Sequence, residues 1–246
     1  MGLKHQLRTL LWKTGYDVTR FQHTGHPIAR RKRFFGIYGI DTVLDVGANT
    51  GQYAVGLRAD LGYGGKILSF EPLSKAFKAL ESRARRDPAW QTFHHALGDQ
   101  DETREINIAA NSQSSSLLPM LPAHLKSAPQ SEYIGKETIR VRTLDQVFPA
   151  LCTQARNIYL KMDTQGFERN VLLGAKESLK RIDTVQMELS LVPLYSHQPL
   201  FNEMYSLMIE LGYTLIAIED TFSDPSSGQL LQADGIFHRH GRTSGA

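Results

Sequence analysis

An apolar run that ends in an acid and a glycine turn constrains this chain more than any other feature: Thr42-Val43-Leu44-Asp45-Val46-Gly47-Ala48-Asn49-Thr50-Gly51-Gln52-Tyr53. A short run rich in aliphatic residues reads as a buried strand, and the glycines after it open a helix, which makes a strand–turn–helix unit suited to a nucleotide. Gly47 permits a tight turn with close backbone approach. Gly51 lets the helix begin against the strand, and Asp45 sets a carboxylate beside the pocket. The spacing is D-x-G-x-x-x-G. A dinucleotide fingerprint wants glycine two positions after Gly47, where this chain has Asn49, whose side chain obstructs a pyrophosphate.

Successive strands repeat the pattern of an acid at the carboxyl end. Lys66-Ile67-Leu68-Ser69-Phe70 runs into Glu71-Pro72, at the distance where a nucleotide fold presents a carboxylate to both ribose hydroxyls. Phe93-His94-His95-Ala96-Leu97-Gly98-Asp99 ends a third unit, with Leu97 placed to lie on an adenine ring and Asp99 to receive its amino group. Tyr159-Leu160-Lys161-Met162-Asp163-Thr164-Gln165-Gly166-Phe167-Glu168 ends a fourth, sending Asp163 toward the same crevice, although Asp163 or Thr164 also suits the cap of the next helix. Acids without a phosphate cradle suit a cofactor that carries an ammonium, as S-adenosylmethionine does. The cofactor set read in this way is Asp45, Gly47, Asn49, Gly51, Glu71, Pro72, Leu97, Asp99 and Asp163.

From residue 41 onward strands and helices alternate, at 43–46, 67–70, 74–86, 92–95, 157–162, 184–189, 200–211, 213–218 and 235–238. Alternation of this kind predicts an α/β fold, a mostly parallel sheet of seven strands with helices on both faces. Two further extended segments, 105–108 and 138–141, flank a polar stretch at 111–135 that holds Pro119, Pro122 and Pro129 and reads as a flap over the acceptor. The 246 residues suffice for one such domain at 41–246, preceded by a helical, basic extension at 1–40. In that extension Leu3, Leu7, Leu10 and Leu11 share a helical face, and Arg30-Arg31-Lys32-Arg33 follows after Pro27. Packing of this helix on the domain is the simpler expectation; a weak membrane-surface contact is the other. With a net charge of +3 and no stripe of alternating aromatic and basic residues, nucleic acid is not an expected partner. The single cysteine, Cys152, excludes an internal disulfide, and with neither a signal-peptide h-region nor a spanning run the expected location is cytoplasmic. Gly2 is followed by Gln6 where myristoylation wants Ser or Thr.

The ordered motifs Asp45-Val46-Gly47-Ala48-Asn49-x-Gly51, Phe70-Glu71-Pro72, Ala96-Leu97-Gly98-Asp99, Ser114-Ser115-Ser116-Leu117, Thr143-Leu144-Asp145 and Lys161-Met162-Asp163-x-x-Gly166-Phe167-Glu168 resemble the FkbM family of S-adenosylmethionine-dependent methyltransferases, over about residues 41 to 240. The resemblance implies a class I methyltransferase fold and methylation of a hydroxyl, often on a sugar of a polysaccharide, a glycolipid or another secondary metabolite. The family pattern usually has Glu where this chain has Gln165, which removes one carboxylate from the mouth.

Methyl transfer to a hydroxyl calls for an oriented oxygen and a base. Asp163 is the first candidate, His197 the alternative proton acceptor and Glu188 its possible partner. Ser115 and Ser116 are candidates for holding a small-molecule or glycan acceptor. Asp163 with Glu188 offers too few oxygens for an octahedral Mg²⁺, so no metal is expected. Two other classes are an NAD-dependent oxidoreductase, against which Asn49 tells, and a non-catalytic nucleotide-binding module, against which the intact set Asp45, Gly47, Gly51 and Glu71 tells.

Overall fold

The computed structural model describes residues 3–240; Met1 and Gly2, where an acylation signal would stand, and the side chains of Leu3 and Lys4 lie outside the described residues. The chain opens with α1 (Leu3–Trp12) and α2 (Pro27–Ile37), then β1 (Thr42–Val46), α3 (Gln52–Gly56, prolonged by one π-turn at Leu57–Leu61), β2 (Lys66–Phe70), α4 (Ser74–Ala84) and β3 (Trp90–Phe93). There follow β4 (Ala96–Leu97), β5 (Glu102–Ala109), α5 (Pro122–Ser127), β6 (Tyr133–Arg142), α6 (Leu144–Leu151) and β7 (Ile158–Met162). Last come α7 (Glu168–Leu173), β8 (Ile182–Ser190), α8 (Phe201–Glu210), β9 (Thr214–Ser223) and β10 (Leu230–His238).

Seven strands form one sheet in the order β3-β2-β1-β7-β8-β10-β9, with β10 alone running against the rest. This is the seven-stranded, mostly parallel sheet that the alternation predicts. The central strands β1 and β7 are buried at every position, as strands covered on both faces must be. Leu44, Val46, Leu160 and Met162 face α6, α7 and α8, whereas Val43, Ile67 and Tyr159 face α2, α3 and α4. A second, three-stranded sheet, β4-β6-β5, lies outside the first; two of its strands cover the extended segments at 105–108 and 138–141, and the third, only two residues long, carries no readable pattern.

The body begins ahead of residue 41. Phe35 and Ile40 belong to the same cluster as Val43 and Leu57, and Phe35 meets Tyr63 edge-on at 5.2 Å. α1 behaves differently: every residue from Leu10 to Gly25 is exposed, so the expected packing of this helix on the domain is not found. No helix among the described residues is long and apolar enough to cross a membrane. Removing residues 1–25 is therefore expected to shift stability by no more than about 0.5 kcal/mol, whereas Phe35→Ala should cost about 3–5 kcal/mol. Urea denaturation of both variants checks this, and a truncated chain as weak as the Phe35 variant would assign α1 to the core.

Candidate functional site

Each inner strand carries a buried polar residue at the same level, and the register aligns them. Ser69, Asp45, Lys161 and Gln186 are neighbours across β2, β1, β7 and β8, so their side chains share the face turned toward α2–α4. Hydrogen bonds tie both ends of the row, and an ion pair joins its middle. Trp90 Nε1 donates to Ser69 Oγ at 2.9 Å, Ser69 Oγ donates to Asp45 at 3.1 Å, and Gln186 Nε2 donates to Asp234 at 2.6 Å. The hydroxyls of Tyr53 and Tyr159 both donate to Gln186 Oε1, at 3.0 and 2.7 Å. Lys161 Nζ sits 3.6 Å from Asp45 and 3.4 Å from Asp163. Burial alone would strip the Lys161 proton, but the charges of Asp163, Asp45 and Asp234 outweigh it and raise its pKa.

Beyond the carboxyl ends of these strands lies a cavity of about 660 Å³. One end is framed by Gly47, Ala48 and Asn49 from the turn after β1, by Glu71 and Pro72 after β2, and by an apolar slot of Leu73, Ala96, Leu97, Ile106 and Leu117. Gly47 stands at φ +76°, and a Cβ there would fall 1.9 Å from the Asp163 carbonyl oxygen; the glycine lets two strand ends close on each other. Glu71 accepts the Asn49 and Leu73 backbone N–H groups, one on each oxygen at 2.8 Å, and each oxygen keeps a second lone pair. Burial, opposed by those two amides, pushes its pKa up to about 7. A carboxylate beside an apolar slot, with no glycine-rich phosphate cradle, fits a nucleoside without phosphates; S-adenosylmethionine is such a ligand.

At the other end Gln165, Gln186, Glu188, Gln232 and Asp234 form a wall of amides and carboxyls, with Arg31, Tyr53, His124 and Phe222 around it. Gln165 is the hub. Its Nε2 donates to Asp163 at 2.8 Å and to Glu188 at 3.1 Å, while its Oε1 accepts from the Tyr195 hydroxyl at 2.6 Å. The amide at the position where the resemblance leads one to expect Glu thus bridges two acids that a third carboxylate would repel. Glu188 also accepts from Gln232 at 2.7 Å, and burial with the charges of Asp163, Glu168 and Asp234 raises its pKa well above the carboxylate range. The Asp163 side chain keeps 42% of its surface open, which makes it the exposed acid of the group. Arg31 pairs with Glu219 behind the wall.

Several expected site residues lie elsewhere. Asp45 is fully buried beneath the cavity, not beside it, because the register turns its side chain into the polar row. Gly51 is also outside the lining; a Cβ there would meet Leu80 and Trp90 at 2.9 Å, so it serves helix packing. Asp99 is exposed and accepts from Asn170 at 3.0 Å, away from the slot. His197 occupies an exposed turn at φ +59° and does not line the cavity. Ser115 does line it, but Ser116 is spent on the loop, donating to the Gln165 carbonyl at 2.7 Å and accepting from the Leu118 N–H at 3.0 Å. Glu168 accepts the Thr164 N–H and hydroxyl under the turn, at 2.8 and 3.0 Å. Sequence reasoning missed Lys161, Gln186, Gln232, Asp234 and His124. Lys161 was signalled by a lone charge inside a buried strand; Gln186 is one of several polar residues in β8, and His124, whose pKa burial lowers to about 4, gave no signal at all.

The insertion supplies much of the remaining lining: Ser112, Ser114, His124 and Gln130 all face the cavity, and Asn49 Nδ2 donates to Ser112 Oγ at 3.1 Å across it.

A family model described as the methyltransferase FkbM domain matches residues 45–215. No curated protein matches the chain. Similar solved structures include methyltransferase FkbM from Methylobacillus flagellatus, at 14% identity and a TM-score of 0.48, with 80% of this chain and 43% of that one covered. An rRNA methylase from Streptococcus thermophilus aligns at 10% identity and a TM-score of 0.45, covering 87% of this chain and 96% of that one. Fibrillarin from Aeropyrum pernix, in complex with natively bound S-adenosyl-L-methionine, aligns at 10% and 0.45, covering 80% and 66%. The chain thus spans less than half the length of the FkbM structure it resembles.

Gln165→Glu is expected to destabilise the fold at neutral pH by about 1–3 kcal/mol, since the new acid would face Asp163 and Glu188 with two donors lost. Its folded-state pKa would be raised, so the variant would recover below the ordinary carboxyl value and lose stability as pH rises through the raised one. Urea midpoints at about pH 5 and pH 8 measure the difference; an equal loss at both would remove Gln165 from the hub.

Proposed function

The chain belongs to the FkbM methyltransferase family, and from that premise we propose that it transfers a methyl group from S-adenosylmethionine to a hydroxyl of a sugar or a related polyol-bearing molecule. The observation that carries the acceptor reading is the wall of Gln165, Gln186, Glu188, Gln232 and Asp234 opposite the nucleoside end. The amide hydrogens of Gln165 and Gln232 are spent within the wall, so what the wall chiefly offers a ligand is carbonyl and carboxyl oxygens, acceptors matched to several hydroxyl donors at once. Once bound, the cofactor supplies a methyl already activated on a sulfonium. The chain then has to orient an oxygen and accept its proton.

Asp163 is assigned the proton. Lys161 and the Gln165 amide hold its carboxylate from one side, leaving the open part of the side chain to the cavity. Glu71 is assigned the two ribose hydroxyls through its remaining lone pairs, with Leu73, Leu97 and Leu117 against the base. Ser115 and its neighbours in the insertion close the acceptor end.

Labelled S-adenosylmethionine offered with a panel of nucleotide sugars, oligosaccharides and glycolipid extracts tests the reaction; labelling confined to proteins or RNA would sink it. Asp163→Asn is expected to lower the rate at saturating substrate by at least about a hundredfold in a folded protein, while His197→Ala leaves it unchanged. Loss of the rate in the histidine variant alone would move the base.

Glu71 makes a pH prediction with two opposite signs. Ionised Glu71 accepts stronger hydrogen bonds, so affinity for S-adenosylhomocysteine should rise by several-fold between about pH 6 and 8, across the value of about 7. In the free protein burial favours the neutral acid, so the Glu71 contribution to stability is complete below its unfolded-state value and is lost as pH rises through about 7. Calorimetry over that range, with Glu71→Gln as the flat control, reads the first effect; a variant that keeps the slope removes Glu71 from the ribose.

A further inference from the structure

The segment ahead of the body has the composition of a surface ligand, and its large apolar side chains are left exposed, Phe21 meeting only the His26 ring among the aromatic contacts of the described residues. Leu7, Leu10 and Leu11 share one face of α1, and Trp12, Tyr16, Val18 and Phe21 follow, all exposed; Leu10 shows 61% of its surface, Tyr16 73% and Phe21 60%. A ten-residue helix is too short to hold in water by propensity alone, and here its described leucines are exposed. Arg8 ties it to the following segment, forking onto both oxygens of Asp17 at 2.7 and 2.6 Å and lying over the Trp12 ring.

Charge is as unevenly spread as apolar surface. Residues 1–33 hold eight lysines and arginines against Asp17 alone, while the whole chain has 28 against 25, so the remainder is net acidic. Arg8 is paired with Asp17 and Arg31 with Glu219. Lys13, Arg20, Lys32 and Arg33 are exposed and form no ion pair among the described residues. The two properties meet in space: Phe21, His23, Lys32 and Arg33 border one shallow surface hollow.

We propose that α1, the segment 13–25 and the outer face of α2 dock on an anionic lipid bilayer. Leucines on one helical face, aromatic residues at its end and free cations beside them are what the boundary between acyl chains and charged headgroups accommodates. A second copy of the chain fits poorly, because self-association through this patch would bring two strongly basic surfaces together. A polyanion such as RNA would satisfy the cations and leave the leucine face in water. α2 connects the docking face to the cavity, which its Ile28 and Arg31 line. The proposal rests on the surface alone and stands or falls independently of the acceptor chosen for the cavity.

The test is flotation of the full chain with phosphatidylcholine vesicles, with and without phosphatidylglycerol. Binding to the anionic vesicles only, weakened by salt and accompanied by a gain in helical circular dichroism, is the expected result. Leu7→Glu/Leu10→Glu and Lys32→Glu/Arg33→Glu should each reduce partitioning by at least roughly tenfold, with urea midpoints unchanged because these side chains lie outside the core. Equal binding to neutral vesicles, full retention by the leucine variant, or a lipid-free dimer that this variant dissolves would overturn the proposal.

Discussion

The site depends on a lysine that has no business being charged where it is. Lys161 lies on a fully buried central strand, and removing an ammonium from water costs several kcal/mol unless opposite charge and hydrogen bonds replace the solvent. Asp45 provides one charge from the neighbouring strand at the same register, and Asp163 the other from the end of its own. The dependence is mutual: Asp45, also buried, has its pKa raised by desolvation and pulled back chiefly by Lys161. Removing Lys161 would leave two acids facing each other, one of them buried, which is more destructive than replacing all three by apolar groups, whereas loss of Asp163 leaves the Lys161–Asp45 pair intact. The arrangement therefore fixes the position of Asp163 more than it adds to stability, and Asp163 is the group that reaches the cavity.

The same reasoning explains how much of the molecule can be read from its letters. The alternation of strand and helix from residue 41, the turn at Gly47 and the acids at Glu71 and Asp163 are local signals, because each is written in consecutive residues and strand ends in such a sheet converge on one crevice. The direction of Asp45 is not local. Its strand is buried on both faces, so the period-two pattern that would show which way a side chain points is missing. Gln186, Gln232 and Asp234 come together only through the pairing of β8 with the antiparallel β10, a contact between segments more than forty residues apart. His197 was attractive for its chemistry alone. A loop histidine has no register to place it, and the structure leaves it in solvent.

Gln165 shows a side chain whose polarity matters more than its charge. It stands in the left-handed region at φ +54°, where few residues other than glycine and asparagine rest easily, and three hydrogen bonds from its amide hold it there. Through Tyr195, which also donates to the Ser114 carbonyl at 3.2 Å, the hub is joined to the insertion. Whatever orders the insertion thereby bears on the angle between Asp163 and Glu188.

Burial grades the acids around the cavity, which on paper look alike. Glu188 and Asp234 are pushed toward their neutral forms by desolvation and next by the charge of Asp163, burial brings Glu71 up to about 7, and Asp45 is paired with Lys161. Asp163 differs in having an open side and a lysine behind it. That access to the cavity is the property on which its proposed role as proton acceptor rests.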